Sequence, residues 1–298
     1  MIKVAAVIVT YNRKELLKEC IGCILSQQGY VPDIIVVDND SSDGTEDALA
    51  PYVEAQRVFY FNTGSNLGGA GGFQYGIRKG VELGYQYLWL MDDDCMPKDT
   101  ALRTLLSAAK HHPDFGFLSS KALWKDGSIC KMNVQRAELT KNVTDYNRKL
   151  IPVVMASFVS LLIKTDIVRE LGLPIKEFFI WTDDWEFTRR ISRKYPCYLV
   201  TGSEVVHKSN LNIKADVSSD TPDRLDRFRY LYRNDVYLYR REGLRGFTYE
   251  CARLTFHCVR VLLKSKDHKL KRIQKIVTGT AEGLRFHPEI EYVEDGGE

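Results

Sequence analysis

Three aspartates close an apolar run in the stretch Tyr87-Leu88-Trp89-Leu90-Met91-Asp92-Asp93-Asp94. A short run of large apolar residues is typical of a strand that is buried on both faces. Side chains alternate along an extended segment, so Asp92 and Asp94 are predicted to face one way and Asp93 the other. Two carboxylates at that spacing can share a divalent cation, which in turn can bridge a diphosphate. The alternative is a solvated acidic turn.

Three similar apolar runs precede this one. They lie at Val4–Val9, Ile34–Val37 and Val58–Phe61, and the segments between them carry apolar residues at helical spacing. Strands that alternate with helices at this spacing predict an α/β fold. Its sheet is expected to be mostly parallel and Rossmann-like, with helices on both faces.

Other parts of the chain give less regular signals. Asn12 and Glu15 are predicted to form a capping box at the start of the first helix. Val153–Lys164 suggests a strand or a hairpin, and Cys197–Val200 a further strand with His207 just beyond it. From Arg224 onward the chain is predicted to be helical and basic.

Polar clusters follow the four predicted strands. They are Thr10-Tyr11-Asn12, Asp38–Asp43, the glycine-rich stretch Asn66–Gly72, and Asp92–Asp94. Ligands of parallel sheets bind beyond the carboxyl ends of the strands, so these clusters predict a binding site at one sheet edge. The glycines could let a sugar or phosphate approach the backbone, or could form a plain tight turn.

Asp38 and Asp40 leave a second interpretation open. A carboxylate nucleophile followed two residues later by an acid is how haloacid-dehalogenase-type phosphatases begin, and this would place catalysis at Asp38 and Asp40. That interpretation leaves Asp92–Asp94 unexplained. An ordinary Asx-rich turn is a third possibility.

A second acidic cluster lies at Asp183 and Asp184, between Trp181 and Trp185. Carboxylates at a helix N-terminus can simply be caps that the helix dipole favours. The tryptophans favour a function, because indole rings are platforms for sugars and can desolvate a carboxylate enough to make it a base. His207 is either a structural histidine or a nitrogen ligand that completes an aspartate pair.

Composition narrows the class of protein. The 298 residues are 44% hydrophobic and 27% charged, which argues against a disordered or fibrous chain. A formal net charge of +3 does not indicate nucleic-acid binding, and none is expected. Seven cysteines are scattered and odd in number, and Cys20 and Cys23 lie in an apolar helical stripe. We expect reduced core thiols rather than a zinc or redox site.

The sequence predicts a cytoplasmic protein of two parts. Its longest apolar stretch, Ile151–Ile163, is shorter than the roughly 20 residues of a membrane span. The N-terminal apolar run stops at Val9, which does not fit a signal peptide. Asn210–Pro222 is polar and turn-rich, so we expect a catalytic domain at 1–210 and a mainly helical region at 211–298.

The predicted basic helix at Arg253–Lys275 has two interpretations. Eight Lys or Arg against one acid, interleaved with apolar residues, fit a packing helix with a solvated face. They also fit docking to an anionic membrane surface, which would make the protein peripheral at the inner face of the cell membrane.

Taken together, these segments resemble an inverting family 2 glycosyltransferase of the GT-A fold. The resemblance runs from Val4 to about Asn234 and rests on five motifs in order. They are Val7-Ile8-Val9-Thr10-Tyr11-Asn12-Arg13, Val36-Val37-Asp38-Asn39, Asn66-Leu67-Gly68-Gly69, Asp92-Asp93-Asp94 and Asp183-Asp184-Trp185-Glu186. The second, third and fourth motifs, with Arg229–Asn234, are similar to the galactofuranosyl- and rhamnosyltransferase branch.

The resemblance implies roles for particular residues. Asp92 and Asp94, with His207, would bind Mn²⁺ or Mg²⁺ on the donor diphosphate. Asp184 would be the catalytic base, with Asp183 as the second choice. Trp181 and Trp185 would contact the acceptor. The implied donor-binding residues are Thr10, Tyr11, Asn12, Asp38, Asn66, Gly69 and Asp93. Thr182 departs from the pattern, because the galactofuranosyl enzymes resembled have Trp directly before Asp-Asp.

The implied reaction moves a hexose from a nucleoside-diphosphate sugar to a hydroxyl of a glycan or lipid-linked glycan, in cell-surface polysaccharide synthesis. Galactofuranose from a UDP donor is favoured, and rhamnose from a dTDP donor is the alternative. A catalytically inactive carbohydrate-binding module is a third hypothesis, from another class, which predicts sugar binding without metal dependence.

Overall fold

The fold is known from a computed structural model that describes residues 2–293. Within that range the chain forms nine α-helices, eleven strands and three short 3₁₀ segments. The strands are β1 (Val4–Thr10), β2 (Asp33–Asp38), β3 (Val58–Asn62), β4 (Tyr87–Asp92), β5 (Cys95–Pro97), β6 (Phe117–Leu123), β7 (Arg136–Glu138), β8 (Lys141–Asn142), β9 (Leu150–Pro152), β10 (Leu161–Lys164) and β11 (Tyr198–His207). The helices are α1 (Lys14–Leu25), α2 (Thr45–Glu54), α3 (Gly68–Glu82), α4 (Ala101–His111), α5 (Thr165–Leu171), α6 (Asp183–Ser192), α7 (Arg227–Arg240), α8 (Gly243–Lys264) and α9 (Lys269–Arg285).

Nine of these strands form one sheet, in the order β3-β2-β1-β4-β10-β6-β11-β5, with β9 paired to β11. β10 is antiparallel to both β4 and β6, and β5 and β9 are antiparallel to β11. The remaining six strands all point the same way. The prediction of a mostly parallel sheet in an α/β fold is therefore confirmed.

The central strand β1 has a core on each of its faces. Val4, Ala6 and Ile8 pack with residues of α1, α2 and α4. Ala5 and Val7, which alternate with them, pack with residues of α3, α5 and α6. Helices therefore cover both faces, which is why the strand residues are apolar without alternation.

Helix α3 packs so closely on the sheet that three of its glycines leave no room for a side chain. A Cβ on Gly72 would lie 2.5 Å from Val9 Cγ1, and a Cβ on Gly76 would lie 2.5 Å from Val7 Cγ1. On Gly80 it would lie 2.4 Å from Leu88 Cδ2. These three glycines serve helix packing, so part of the glycine-rich pattern has a structural cause.

The predicted capping box at the start of α1 is wrong. Asn12 has a φ of 53° and its Oδ1 accepts a hydrogen bond from the Ser42 amide at 2.8 Å. The amide of Lys14 donates instead to Asp43 Oδ2 at 2.9 Å. A carboxylate from the loop after β2 therefore caps the helix, and a local pattern could not predict that contact.

Three further sequence predictions need correction. The basic segment Arg253–Lys275 is not one helix, because α8 ends at Lys264 and α9 begins at Lys269. In Val153–Lys164 only Leu161–Lys164 is a strand, β10. His207, expected beyond a strand, is the last residue of β11.

The helices after residue 222 pack on one another and on the sheet domain. Val217, Phe228 and Tyr232 form a small core with Val261 and Ile276. Helix α7 also contacts the segment before α6, through hydrogen bonds described below. The predicted boundary at 210/211 falls in the irregular chain between β11 and α7, and the division into two domains stays a prediction.

Candidate active site

The carboxyl ends of β1 and β4 lie side by side. Val9 of β1 is in register with Asp92 of β4, so Thr10 reaches the aspartates that follow. Thr10 Oγ1 donates to Asp93 Oδ2 at 2.8 Å, and both residues are buried. Parallel register therefore brings two of the predicted motifs into direct contact.

Antiparallel pairing of β5 with β11 brings His207 to the same place. His207 is opposite Cys95, the residue after Asp94. Its Nε2 lies 2.9 Å from Asp94 Oδ1. One possible ligand atom each from Asp92, Asp94 and His207 lie within 4.8 Å of one another. The structure thus brings together the three residues predicted as metal ligands, and Asp93 points away to Thr10.

Hydrogen bonding orients the His207 ring. Asn133 Oδ1 lies 2.7 Å from Nδ1, which suits a ring that donates from Nδ1 and turns Nε2 toward Asp94. Burial opposes a charge on His207, but contacts with Asp94 and Cys130 raise its pKa to about 10. No sequence signal indicated this contact between Asn133 and His207.

Asp92, Asp94 and His207 offer the ligand atoms of a divalent-cation site. Two carboxylates and one imidazole suit Mn²⁺ and, less specifically, Mg²⁺. Asp94 Oδ1 is buried and has no hydrogen bond of good geometry among the described residues, although His207 Nε2 is close to it. Burial, followed by the charge of Asp94, raises the pKa of Asp92 to about 6. Carboxylates in such surroundings are stabilised by a positive charge.

Arg13 is a further residue of this site. Its Nη1 lies 3.2 Å from Asp93 Oδ1 and 2.9 Å from Asp94 Oδ2, at the start of α1. Burial raises the pKa of Asp93 to about 7 although Arg13 opposes that shift. Arg13 was part of a motif quoted above, but its residue type and spacing alone indicated no role for it.

The loop after β2 is ordered by Asp38. This carboxylate is fully buried, with Oδ1 accepting from the Ser41 amide at 2.8 Å and Oδ2 from the Tyr60 hydroxyl at 2.7 Å. Asn12 bonds the same loop through Ser41 and Ser42. Both oxygens of Asp38 are thus engaged with the protein. Tyr60 was not predicted, because its partner lies on a neighbouring strand.

Tyr11 and the glycine-rich stretch border the open edge of the site. Tyr11 is 45% exposed. Asn66 is exposed and its Oδ1 accepts from the Gly68 amide at 2.9 Å. Gly68 has a φ of 71°, and a Cβ there would lie 2.1 Å from the carbonyl oxygen of Phe179. A Cβ on Gly69 would meet nothing within 4 Å, so this glycine has open space beside it.

Asp183 and Asp184 form the first turn of α6. Asp184 Oδ1 accepts from the Trp185 amide at 2.7 Å. Burial raises the pKa of both carboxyls. The charge of Asp92 acts in the same direction on each, so the acidic pair lies within electrostatic range of Asp92. A carboxylate with a raised pKa is suited to accept a proton.

The two tryptophans flank the acidic pair and are both half-buried. Trp181 packs on Phe228, with ring centroids 5.2 Å apart. Arg136 stacks over the Trp185 ring at 4.8 Å. Each ring therefore packs against the protein and keeps some exposure.

Comparisons with known proteins agree with this geometry. The family model "Glycosyl transferase family 2" matches residues 5–172. Galactofuranosyltransferase GlfT1 of Mycolicibacterium smegmatis is 30% identical over 81% of this chain and 84% of its own length. GlfT1 of Mycobacterium tuberculosis is 27% identical over the same shares.

Solved structures show the same fold at low identity. TarS of S. aureus superposes with a TM-score of 0.56 and 13% identity, over 96% of this chain and 72% of the TarS chain. GalNAc-T7, solved with UDP, GalNAc and Mn²⁺, has a TM-score of 0.59 and 16% identity, over 93% of this chain and 58% of the other. Both are glycosyltransferases of the GT-A fold, so the prediction of that fold is confirmed.

These findings decide between the functional classes. A dehalogenase-type phosphatase centred on Asp38 and Asp40 does not fit the family match, and the buried Asp38 carboxylate has both oxygens engaged, by Ser41 and Tyr60. The family model covers more than half of the chain, and the relatives match along most of it. The chain belongs to glycosyl transferase family 2 and is a GT-A glycosyltransferase.

Proposed function

We propose that the protein transfers galactofuranose from a UDP-linked donor to a hydroxyl of a glycan acceptor, with inversion and with a divalent cation. The observation that carries this proposal is the Asp92, Asp94 and His207 cluster, with the Asp183–Asp184 pair near enough to Asp92 for its charge to raise the pKa of both carboxyls. Similarity to GlfT1 along most of the chain supports the choice of sugar.

Asp92, Asp94 and His207 would hold Mn²⁺ or Mg²⁺ against the donor diphosphate. The cation supplies the positive charge that stabilises the diphosphate leaving group. His207 must bind as the neutral imidazole, so loss of its proton accompanies metal binding. Arg13 is placed to add a second positive charge beside the same carboxylates.

The remaining contacts with the donor would come from residues at or just after the carboxyl ends of β1, β2, β3 and β4. Tyr11 offers an exposed ring for the base, and Gly69 offers open space for the sugar or phosphate. The hydrogen bond from Thr10 to Asp93 connects the ends of β1 and β4 beside the donor. Asn12, Asp38 and Asn66 shape the pocket by ordering the loops that line it.

Asp184 is the proposed base. It accepts the proton of the acceptor hydroxyl while that oxygen attacks the anomeric carbon and the bond to the diphosphate breaks. One base is sufficient because a single displacement with inversion forms no covalent intermediate. Trp181 and Trp185 flank the carboxylates and would contact the acceptor sugar.

Thermal-shift measurements with UDP and dTDP, each with and without Mn²⁺, test the donor. We expect UDP with Mn²⁺ to raise the Tm, and a ligand at about 100 times its Kd to stabilise by about 2.7 kcal/mol. UDP without Mn²⁺ should give a much smaller shift. A larger rise in Tm with dTDP than with UDP would favour rhamnose transfer. A rise in Tm that is the same with and without Mn²⁺ would contradict the cation site.

The acceptor is proposed to be lipid-linked, which requires contact with a membrane. No described helix is long and apolar enough to cross a bilayer. Helix α8 instead turns an apolar face outward, and only Gly246, Glu250 and Val261 of its 22 residues are buried. Its exposed large apolar side chains, with those of the neighbouring α9, include Leu244, Phe247, Phe256, Val259, Leu262, Leu263 and Leu270.

Lysines surround one end of this apolar face. Lys264, Lys266, Lys269 and Lys271 are exposed near the turn between α8 and α9, and Asp267 there is paired with Arg272. Apolar side chains beside a positive rim suit an anionic lipid surface, where each basic residue contributes about 1 kcal/mol. We therefore propose peripheral binding to the inner face of the cell membrane.

Vesicle flotation tests this membrane surface. We expect the protein to float with phosphatidylcholine vesicles that contain phosphatidylglycerol, and to bind pure phosphatidylcholine weakly. Leu263→Glu with Leu270→Glu should abolish flotation, and Leu83→Glu, at an exposed leucine away from these helices, should not. Binding that the paired substitution leaves unchanged would contradict the proposal, as would a dimer that the same substitution dissociates.

A further inference from the structure

The segment 178–182, which leads into α6, has an unusual backbone. Phe179, Trp181 and Thr182 have φ values of 63°, 66° and 68°. Phe179 has a ψ of −58°, and the Ile180 amide donates to the Phe178 carbonyl at 2.7 Å, which together form the rare γ-turn with positive φ. Side-chain-bearing residues adopt such conformations only where the surrounding structure imposes them.

One buried amide side chain imposes much of this shape. Asn234 of α7 is completely buried. Its Nδ2 lies 3.0 Å from the Phe178 carbonyl oxygen, 3.1 Å from that of Ile180 and 2.9 Å from that of Trp181. A single side chain thus gathers three carbonyls that point to a common centre because of the unusual backbone.

The next residue of α7 fixes the end of the segment. Asp235 Oδ1 accepts from Thr182 Oγ1 at 2.6 Å, and Asp235 Oδ2 lies 2.8 Å from Nη1 of Arg253. Arg253 is also paired with Glu250, and all these groups are largely buried. Thr182 in turn accepts the first helical hydrogen bond of α6, from the Glu186 amide at 2.8 Å. The start of α6 is therefore tied to a buried ion pair.

The other end of the segment contacts the glycine-rich stretch. The Phe179 carbonyl accepts from the Ala70 amide at 3.2 Å, and a side chain on Gly68 would collide with that carbonyl. Asn39 Nδ2 donates to the Gly68 carbonyl at 3.0 Å. Segment 178–182 thus connects the proposed donor-binding stretch with the helix that carries the proposed base.

We propose that Asp235 is a positioning residue, which acts through Thr182 at the end of segment 178–182 to set Asp184 against the donor. This inference rests on the proposed function of Asp184. It also assigns a purpose to Thr182, the residue that departs from the family pattern. The hydroxyl of Thr182 anchors the residue before the acidic pair to Asp235, which fixes where the pair begins α6.

Three variants at one position test the proposal in the full-length protein. Thr182→Val removes the hydroxyl and keeps the shape, Thr182→Ser keeps the hydroxyl, and Thr182→Ala removes it without adding bulk. We expect Thr182→Val and Thr182→Ala to lower kcat at least about tenfold, because a displacement of about 1 Å can cost about 100-fold. The KM for donor and the Kd for UDP with Mn²⁺ should stay within about twofold of wild type, because the donor site is unchanged.

The Thr182→Ser variant is the control that separates positioning from folding. It should have the wild-type kcat, since a serine hydroxyl can donate the same hydrogen bond to Asp235. A wild-type kcat in both Thr182→Val and Thr182→Ala would overturn the proposal. So would a fall in donor affinity equal to the fall in kcat, because a general loss of structure affects both. Failure of the proposed base gives a different result, namely full activity in Asp184→Asn.

Discussion

The Asp184→Asn variant is expected to bind the donor like the wild type and to transfer sugar at least about 100-fold more slowly, in line with the contribution of a general base. Asparagine has the size of aspartate, and its Oδ1 can still accept from the Trp185 amide, so the first turn of α6 should be preserved. It cannot accept a proton from the acceptor. Isothermal titration with UDP and Mn²⁺, together with a radiolabelled transfer assay, measures the two quantities separately.

Asp183→Asn is the matched control, one residue away and with the same loss of charge. If Asp184 is the base, Asp183→Asn retains most of the transfer activity. The reverse pattern would assign the base to Asp183, and wild-type rates in both variants would contradict a base in this pair.

The pH profile of kcat gives an independent check of the same base. The base works as the carboxylate, and burial raises the pKa of both Asp183 and Asp184. Activity is therefore lost as the pH falls through the raised pKa, at a higher pH than for a solvated aspartate with a pKa of about 3.9. This loss of activity at low pH should be absent from the pH profile of the residual activity of Asp184→Asn.

Asp94→Ala is expected to weaken Mn²⁺ binding at least about 100-fold, more than the loss of an outer-shell partner of a metal site costs. Asp94 contributes a carboxylate and also engages His207 and Arg13. Removal of the Asp94 carboxylate should abolish the Mn²⁺-dependent stabilisation of the protein by UDP. It should also abolish sugar transfer. Binding can be followed by the electron paramagnetic resonance signal of free Mn²⁺.

A suitable control for Asp94→Ala is Asp33→Ala. Asp33 begins β2, at the opposite edge of the sheet from the site, and its substitution removes the same charge. This variant should bind Mn²⁺ as the wild type does. Metal affinity should also fall as the pH is lowered, because protons compete for His207, whose pKa is raised to about 10. Equal binding by wild type and Asp94→Ala would contradict the assignment.

Much of the fold could be predicted because its signals are local. The runs at Val4–Val9 and Tyr87–Met91 are apolar throughout, and short runs of this kind are typical of strands in a parallel sheet with two covered faces. The strand β10 was predicted only within the longer stretch Val153–Lys164 and without its antiparallel direction, and the short strand β5 was not predicted, since pairing partners distant in the chain define both. The break between α8 and α9 was also missed, because basic and apolar residues continue across it.

The candidate site likewise contains some residues that the sequence predicted and others that it did not. Asp92, Asp94 and His207 could be proposed together from residue type and family resemblance, and the structure brings them together. Asn133 and Asn234 could not be given a role from their own surroundings in the sequence. Each makes its contact with a residue distant in the chain, His207 and Phe178 respectively. The glycine-rich stretch was only partly understood, because Gly72 serves the contact between α3 and the sheet.

The central claim is that Asp92, Asp94 and His207 hold a divalent cation against a nucleoside diphosphate. Anomalous diffraction at the manganese edge, from crystals grown with UDP and Mn²⁺, tests it most directly. The account predicts one strong peak that is bonded to the carboxylates of Asp92 and Asp94 and to Nε2 of His207, with the diphosphate of UDP on its open side. UDP bound at this edge with no peak there, and with His207 still against Asp94, would contradict it.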